Sequence, residues 1–315
     1  MRKLWSVILL LLLIGGAGWF LWSGDRQSAA EEKHTVRIAY LPITHAMPLF
    51  AEKELLTADD DVQVELIKYG SWPELMDALN TGKVDGASVL IELAVKAREQ
   101  GIDVRAAALG HKDGNVIIGG NGIEKVEDLR GKIFAIPHKQ STHNLLLQQM
   151  LAEHGMSLQD LTVVELSPPE MPAGLAQGQI AGYCVAEPFG AKAIALGKGH
   201  ILAKAEDLWP DSLCCALVFN GDFVDKHHEL AKKATAKYLA AGKYLTEHEE
   251  EQPQIAQLYL KAKAKVVEMS LKLIRYDDLQ ITPEAYAELV KRMSAAKLIE
   301  RIPEYEDFVD RTLLP

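Results

Sequence analysis

The sequence predicts an α/β protein with two lobes, and three observations lead to that fold class. The chain has 315 residues, 48% of them hydrophobic and 25% charged, which is an ordinary globular composition. Strand patterns alternate with helical patterns from residue 36 onwards, as in mainly parallel sheets covered by helices. About 280 residues follow the first 34, more than one hydrophobic core normally organises. We therefore expect two lobes with a hinge and a central ligand cleft.

The N-terminal segment, residues 1–22, is predicted to be a membrane anchor or a signal segment. Residues 4–22 carry no charge and are long enough to span a bilayer as a helix. Arg2 and Lys3 precede this stretch, so the positive-inside rule places the rest of the chain on the outer side. The small residues Ser28–Ala30 keep a cleaved signal peptide open as the alternative. Residues 23–34 are polar and are expected to form a tether.

Strands and helices are predicted to alternate through the first part of the folded chain. Val36–Leu41 is a β-branched run that ends at a proline, and the segment after it has helical spacing with proline in its first turn. The predicted strands are Val36–Leu41, Val62–Tyr69, Val84–Leu90, Val104–Leu109 and Val116–Gly120. The predicted helices between them are Pro48–Leu56, Trp72–Leu79 and Ile91–Gln100.

A second α/β unit is predicted to follow, after which the chain returns to the first. Its strands are Ile133–Ile136, Thr162–Leu166 and Ile180–Val185, and its helices are Thr142–His154, Pro172–Gln177 and Pro188–Leu196. The later segments are an apolar strand at Leu213–Phe219 and helical patterns at Val224–Ala264 and Thr282–Leu298. We therefore assign residues 35–119 and 213–315 to lobe 1 and residues 120–212 to lobe 2.

Charge and cysteine content exclude several classes of function. The formal charge of −10 argues against a nucleic-acid partner. No cysteine lies directly after the N-terminal apolar segment, which excludes lipid anchoring at such a residue. Cys184, Cys214 and Cys215 are too few for a disulfide framework and are expected to be small buried hydrophobic side chains. Their spacing does not match that of common metal-ligand motifs, so the sequence predicts neither a metal site nor a cofactor.

A group of polar residues lies between a predicted strand end and a predicted helix start, where backbone N–H groups and the helix dipole favour an anion or a polar acceptor. These residues are Gln140, Ser141, Thr142 and His143. Ser141 and Thr142 have two open interpretations, capping of the helix and contact with a ligand. His143 fits ligand contact better, because a cationic imidazole in the first turn would oppose the dipole and a neutral donor would not.

Other candidate residues follow strand ends or begin helices. Ala186 and Glu187 leave a strand at its carboxyl end, where open α/β sheets place ligands, although Glu187 could instead cap the next helix. The corresponding strand ends of lobe 1 carry Pro42, His45 and Ser88. Trp72 starts a helix and is expected to wall the cleft or to pack in the core. The sequence has no nucleophile elbow, P-loop or dinucleotide fingerprint.

Three motifs resemble those of a known family. They are Ser141–Asn144 before an apolar helix, Ser167–Met171, and the turn Gly182–Phe189. They are similar to the T-H-D, P-P-Q-M and G-[FY]-C-V-G-E-P-W motifs of substrate-binding proteins of ABC importers in the nitrate, sulfonate, taurine and bicarbonate class, which are related to thiamine-pyrimidine binders. The likeness covers nearly everything from Val36 to Leu298.

The resemblance implies a type II periplasmic-binding-protein fold and delivery of a solute to a permease with a cytoplasmic ATPase. It implies that His143 is the ligand histidine and Trp72 the cleft tryptophan. Ala186 stands where the family has a glycine, and its methyl group restricts the close approach that a glycine allows. After Trp209 the chain lacks the lysine that would face nitrate. We therefore expect a small anionic or zwitterionic solute, with nitrate itself disfavoured.

The resulting functional prediction is an extracytoplasmic solute-binding protein, tethered to the membrane by its N-terminal helix, with no enzyme activity. Two alternatives stay open at the level of sequence. One is an enzyme on the same fold that acts on a pyrimidine or a chorismate-derived precursor. The other is a ligand-sensing ectodomain that signals through a partner. The acidic net charge does not exclude an anionic solute, because dipoles inside a cleft act at shorter range than screened surface charges.

Overall fold

The computed structural model describes residues 34–315, and the predicted membrane segment 1–22 and nearly all of the predicted tether lie outside the described residues. Among residues 34–315, no helix is both long and apolar enough to cross a membrane. Thr35–Pro315 forms one unit by its internal contacts. The two main sheets described below both belong to this unit.

The first sheet has five strands in the order β2-β1-β3-β11-β4. Its strands are β1 (Thr35–Tyr40), β2 (Gln63–Lys68), β3 (Gly86–Leu90), β4 (Val104–Leu109) and β11 (Cys215–Asn220). β1 pairs in parallel with β2 and β3, whereas β11 runs antiparallel to β3 and β4. Every residue of β3 and β11 is buried, as expected for central strands covered on both faces.

The second sheet repeats this arrangement in the order β10-β6-β9-β7-β8. Its strands are β6 (Asn115–Gly120), β7 (Ile133–Ile136), β8 (Thr162–Glu165), β9 (Gly182–Ala186) and β10 (Gly199–Lys204). β6 is its antiparallel strand, between β9 and β10. In both sheets, therefore, the antiparallel strand is the one that enters from the other sheet. A short additional sheet pairs β5 (Lys112–Asp113) with β12 (Ile274–Arg275).

Helices connect and cover these strands. In chain order they are α1 (Met47–Leu55), α2 (Trp72–Asn80), α3 (Ile91–Glu99), α4 (Thr142–Glu153), α5 (Met171–Ala176), α6 (Phe189–Ala195), α7 (Ala205–Leu208), α8 (Gly221–Lys226), α9 (His228–Glu247), α10 (Gln252–Leu260), α11 (Ala264–Leu271), α12 (Pro283–Ala295) and α13 (Tyr305–Phe308). Single 3₁₀ turns occur at Thr44–Ala46, Val126–Leu129, Leu158–Asp160, Glu249–Glu251 and Arg311–Leu313.

The α/β prediction is confirmed, and the main difference lies in the helical region after β11. The pattern predicted as nearly continuous helix over residues 224–264 is divided into α8, α9 and α10. His227 and His248 interrupt it because their backbones leave the helical region, with ψ angles of 43° and 57°. Pro253 then lies in the first turn of α10, where a proline is tolerated.

The topology brings several chain segments to one edge of each sheet. The carboxyl ends of β1, β3 and β4 lie at the same edge as the start of β11, because β11 is antiparallel to its neighbours. In the second sheet, the carboxyl ends of β7 and β9 lie beside the start of β6. The predicted division into lobes remains a proposal, and we place its first crossing before Asn115, since β6 pairs within the second sheet.

Candidate functional site

The N-terminus of α4 is built as a capped helix start. Ser141 has an extended backbone, and its hydroxyl accepts a hydrogen bond from the Asn144 amide at 3.3 Å, as an N-cap does. The same hydroxyl donates to the His138 carbonyl oxygen at 2.6 Å. The backbone amide of Gln140 donates to Nδ1 of His138 at 3.0 Å, and Gln140 is half-buried. The contacts of Ser141 thus match the capping interpretation.

Thr142 connects the second sheet's helix to the first sheet's edge. Its buried hydroxyl is hydrogen-bonded to Oε1 of Glu92, in the first turn of α3, and donates to the Leu213 carbonyl oxygen at 2.8 Å. Burial, together with the nearby Cys214, raises the pKa of Glu92 well above its usual value. A protonated Glu92 can donate to Thr142, which leaves the threonine proton for Leu213. Glu92 therefore takes up the position at the α4 N-terminus where the sequence predicts an anionic solute.

His143 is buried and has no internal hydrogen-bond partner. It is 1% exposed, and neither of its ring nitrogens makes a hydrogen bond within residues 34–315. Burial lowers its pKa, which the nearby Cys214 partly offsets and the nearby His111 reinforces. A neutral imidazole with both nitrogens unused is uncommon in a core and is a strong indication of a missing partner.

The Glu187 side chain is hydrogen-bonded to the helix that follows it, α6, and to α11. One carboxylate oxygen accepts hydrogen bonds from the Ala191 amide at 2.9 Å and from the Ser270 hydroxyl at 3.1 Å. Burial raises the pKa of Glu187 to about 7. These contacts support the capping alternative for its side chain. Its backbone carbonyl accepts hydrogen bonds from the amide and hydroxyl of Thr44, in the loop after β1, at 2.9 and 3.1 Å.

The other residues predicted for the site have no hydrogen bond within the described chain that links them to His143. Ala186 is buried in β9 opposite Asn115 of β6. Trp72 is the first residue of α2, and its Nε1 makes no hydrogen bond within the described chain. Ser88 lies inside β3, two residues before its end, and Pro42 is half-buried after β1. No hydrogen bond in residues 34–315 joins these side chains to His143.

Four buried side chains converge at the edge of the first sheet, and we call them the His₂Cys₂ cluster: His45, His111, Cys214 and Cys215. One donor atom from each lies within 4.8 Å of the others. Nδ1 of His45 is 3.4 Å from Sγ of Cys215 and 3.7 Å from Sγ of Cys214, and the two sulfurs are 4.0 Å apart. The two imidazole rings stack with centroids 3.5 Å apart.

Backbone carbonyls fix the orientation of both histidines in the cluster. Nε2 of His45 lies 3.3 Å from the Gly114 carbonyl oxygen, and Nδ1 of His111 lies 2.8 Å from that of Asp113. When each of these nitrogens donates its proton, the lone pairs are left on Nδ1 of His45 and Nε2 of His111. The latter atom makes no hydrogen bond within residues 34–315.

The pKa shifts in the cluster favour a neutral His45 and a thiolate at Cys214. Burial, with the neighbouring His111, lowers the pKa of His45 to about 4. Burial alone would raise the pKa of the Cys214 thiol, but the hydrogen bond with Cys215 and the nearby His45 outweigh it and lower that pKa well below its usual value. Burial and the neighbouring Cys214 raise the pKa of Cys215. Neutral imidazoles and thiolates are the forms that bind metal ions.

Sequence reasoning selected only His45 from this cluster. Burial of the cysteines agrees with the prediction of small buried hydrophobic side chains, but the contacts of Cys214 and Cys215 with His45 go beyond it. One signal could have found the cluster, because His45 and His111 follow strands of the same sheet. A second group that could hold a metal ion, His248, Glu250 and Glu251, is largely exposed on a helix connection.

Comparisons with known proteins agree with this fold. The sequence model described as the NMT1-like family matches residues 29–260, well over half of the chain. A crystal structure of the ligand-binding component of an ABC-type import system from Staphylococcus aureus, with zinc bound, has a TM-score of 0.85 and 38% identity, and the match covers 89% of this chain and 98% of that one.

More distant similarities extend to nitrate systems. The periplasmic nitrate-binding protein of Synechocystis PCC 6803 has a TM-score of 0.77 at 19% identity, over 90% of this chain and 87% of that one, which supports the fold alone. A nitrate import ATP-binding protein of Synechocystis is 30% identical over 200 residues, or 56% of this chain. The chain spans 30% of the length of that relative.

Proposed function

Because the chain belongs to the NMT1-like family, we propose that it is the solute-binding component of an ABC importer. This membership confirms the resemblance to substrate-binding proteins that was inferred from the sequence motifs. It also favours solute binding over the enzyme alternative. The periplasmic-binding fold expected from that resemblance is confirmed as well.

The observation that carries this proposal is the state of His143. A fully buried imidazole without a hydrogen bond costs free energy unless a partner that is not part of the described chain satisfies it. His143 lies in the first turn of α4 and near the His₂Cys₂ cluster, so the space between the two sheet edges is the site we propose for the solute. Closure of the lobes around the solute would provide the signal for transfer.

Two chemical classes of solute are compatible with this site. The sequence favours a small anionic or zwitterionic solute of the nitrate, sulfonate, taurine and bicarbonate class, which would have to displace Glu92 from the α4 N-terminus or bind beside it. The cluster of soft donors favours a metal ion instead, and so does the zinc bound to the similar S. aureus protein.

We further propose an extracytoplasmic location and two partners. The solute-loaded chain would dock on a permease that works with a cytoplasmic ATPase. The apolar residues 4–22 would hold the chain at the membrane. We propose that Trp72 and the Ala186–Glu187 turn line the cleft beside this solute.

A thermal-shift screen tests the proposed function. The full-length chain in detergent would be heated with nitrate, bicarbonate, an alkanesulfonate, taurine or Zn²⁺. A solute at 100 times its dissociation constant is expected to stabilise the folded chain by about 2.7 kcal/mol. With an anionic solute, His143→Ala should abolish the shift, whereas His200→Ala, an exposed histidine on β10, should retain it. If neither class of solute stabilises the chain, the proposed role is wrong.

A further inference from the structure

We propose that the His₂Cys₂ cluster is a binding site for a soft divalent metal ion of tetrahedral preference, and that this ion is the solute of the importer. The second half of this proposal rests on the proposed function, and the first half does not. It replaces the expectation, drawn from ligand spacing in the sequence, that the chain has no metal site.

The distances within the cluster match the edges of a zinc tetrahedron. With Zn–S bonds of about 2.3 Å and Zn–N bonds of about 2.0 Å, two sulfur ligands lie about 3.8 Å apart and a sulfur and a nitrogen about 3.6 Å apart. The observed sulfur–sulfur distance is 4.0 Å, and the two distances from Nδ1 of His45 to the sulfurs are 3.4 and 3.7 Å. An ion can therefore be accommodated among these three atoms with little movement of the chain.

The hydrogen bonds of the histidines match those of metal ligands. A histidine that binds a metal through one ring nitrogen usually donates the other N–H to a carboxylate or a backbone carbonyl, which fixes its tautomer and its orientation. His45 is positioned in this way by Gly114, and His111 by Asp113. The remaining lone pair of His111 is buried and unused by residues 34–315, which is costly for a purely structural histidine.

The donor set selects the class of ion. Two thiol sulfurs and two imidazole nitrogens suit Zn²⁺ and similar soft or borderline ions, whereas Mg²⁺ and Ca²⁺ require oxygen ligands. Two thiolates would also neutralise the charge of a divalent ion, which a fully buried site requires. The nearest alternative, a small anion, would meet Glu92 already at the α4 N-terminus and the two buried thiol side chains opposite.

The position of the cluster explains how an ion could enter and leave. His45 and His111 follow strands of the first sheet, and Cys214 and Cys215 stand where β11 begins, so all four donors belong to one sheet edge. Thr142 and His143 of α4 lie across from them, and the Thr142 bonds to Glu92 and Leu213 hold the two edges together. Separation of the edges would expose the donors without taking the site apart, as a carrier of an exchangeable solute requires.

The binding half of the proposal is tested with cobalt as a spectroscopic probe. The full-length chain in detergent, reduced and stripped of metal, would be titrated with Co²⁺, and its Zn²⁺ affinity measured by competition with a chromophoric chelator. We expect one ion per chain, a thiolate-to-cobalt charge-transfer band and the intense visible bands of tetrahedral cobalt. Cys214→Ser and Cys215→Ser should reduce that band and weaken Zn²⁺ binding at least about 100-fold, which is the upper range for loss of an outer-shell partner.

Cys184→Ser is the matched control. Cys184 is also fully buried, in β9, but its sulfur is not part of the cluster, so this variant should bind like the wild type. Circular dichroism of the metal-free variants separates loss of ligands from loss of the fold. Absence of the charge-transfer band in the wild type, or equal losses in Cys184→Ser and Cys214→Ser, would overturn the metal site.

The transport half is tested by the compaction of the chain on binding, measured as the radius of gyration by X-ray scattering. If Zn²⁺ compacts the wild type but not Cys214→Ser, the ion behaves as the solute. If an anion from the thermal-shift panel compacts both proteins and Zn²⁺ compacts neither, the importer role stands and the metal is not its solute. If no compound compacts the chain while cobalt still shows thiolate coordination, the site stands and the proposed function fails.

Discussion

The facing edges of the two sheets carry polar residues in corresponding positions, yet those residues are in different states. At the second sheet's edge, Ser141 caps α4 and Glu187 is hydrogen-bonded to Ala191 and Ser270. At the first sheet's edge, Nε2 of His111 makes no hydrogen bond within residues 34–315, and the sulfurs of the cluster have weak contacts with each other and with Nδ1 of His45.

This difference separates residues that build the site from residues that are available to a ligand. A side chain whose hydrogen-bonding capacity is already used contributes to the fold, and a ligand must compete with its present partner. An unsatisfied buried donor or acceptor gains from any ligand that fits. Both edges hold buried groups of this kind, Nε2 of His111 at the first and both nitrogens of His143 and Oε1 of Glu187 at the second. What sets the first edge apart is its set of soft sulfur and imidazole donors.

Removal of one histidine from each edge should give the largest difference between the two edges. A tetrahedral zinc site with a total binding free energy of roughly 10–16 kcal/mol loses about a quarter of it with one of four ligands, or about 2.5–4 kcal/mol. We expect this loss of Zn²⁺ affinity for His111→Ala and a loss below about tenfold for His143→Ala, which is not one of the four. Chelator competition measures both values.

The exposed His200→Ala variant serves as the control and should bind Zn²⁺ like the wild type. If His143→Ala weakens Zn²⁺ binding as much as His111→Ala does, the second edge supplies a ligand too, and the division of roles between the two edges is wrong.

The sequence predicted the fold better than the site, and single elements show why. β4 and β7 were predicted to the residue, because their apolar runs are short and bounded by breakers. β10 was not predicted, because this half-exposed edge strand lacks an apolar run. The sequence motifs pointed to the start of α4 as the ligand site, because four candidate residues are contiguous there. The cluster was missed because its members are up to 170 residues apart and only strand order brings them together.

Glu187 offers a test of how closely the second edge packs around its buried groups. With its pKa raised to about 7, folded Glu187 keeps its proton between the unfolded pKa near 4.5 and pH 7, while the unfolded chain loses it. The contribution of Glu187 to the free energy of unfolding should therefore fall by about 3 kcal/mol as the pH rises through this window, and then level off. Glu187→Gln mimics the protonated carboxyl group and should remove this fall.

The measurement is urea unfolding of both proteins between pH 4.5 and 8. Wild type and Glu187→Gln should differ least at pH 4.5 and most above pH 7, with the variant the more stable of the two there. Identical pH profiles would show that the carboxyl group of Glu187 is solvated or paired in solution, and that the second edge is less closed than its hydrogen bonds imply.

The smallest changes in stability are expected for the two adjacent hydroxyl groups at the start of α4. The Thr142 hydroxyl bonds to groups at the other sheet edge, and the Ser141 hydroxyl bonds within its own edge. Thr142→Val breaks the bonds to Glu92 and Leu213 across the two edges, and leaving those buried groups unsatisfied costs about 1–3 kcal/mol. Ser141→Ala breaks the α4 cap and the bond to the His138 carbonyl oxygen just before it, and costs about 1 kcal/mol. Both variants should therefore be less stable to urea.

Only Thr142→Val should also weaken solute binding, by about tenfold, because the bond it loses exists only while the two edges are together and so favours the bound state over the open one. Ser141→Ala leaves that balance unchanged, since its cap persists when the edges separate. Chelator competition with Zn²⁺ on both variants distinguishes the two roles. Equal affinities for the two variants would mean that Thr142 stabilises the fold in the same way as Ser141, and that other contacts, such as the bonds from Thr44 to Glu187, control closure.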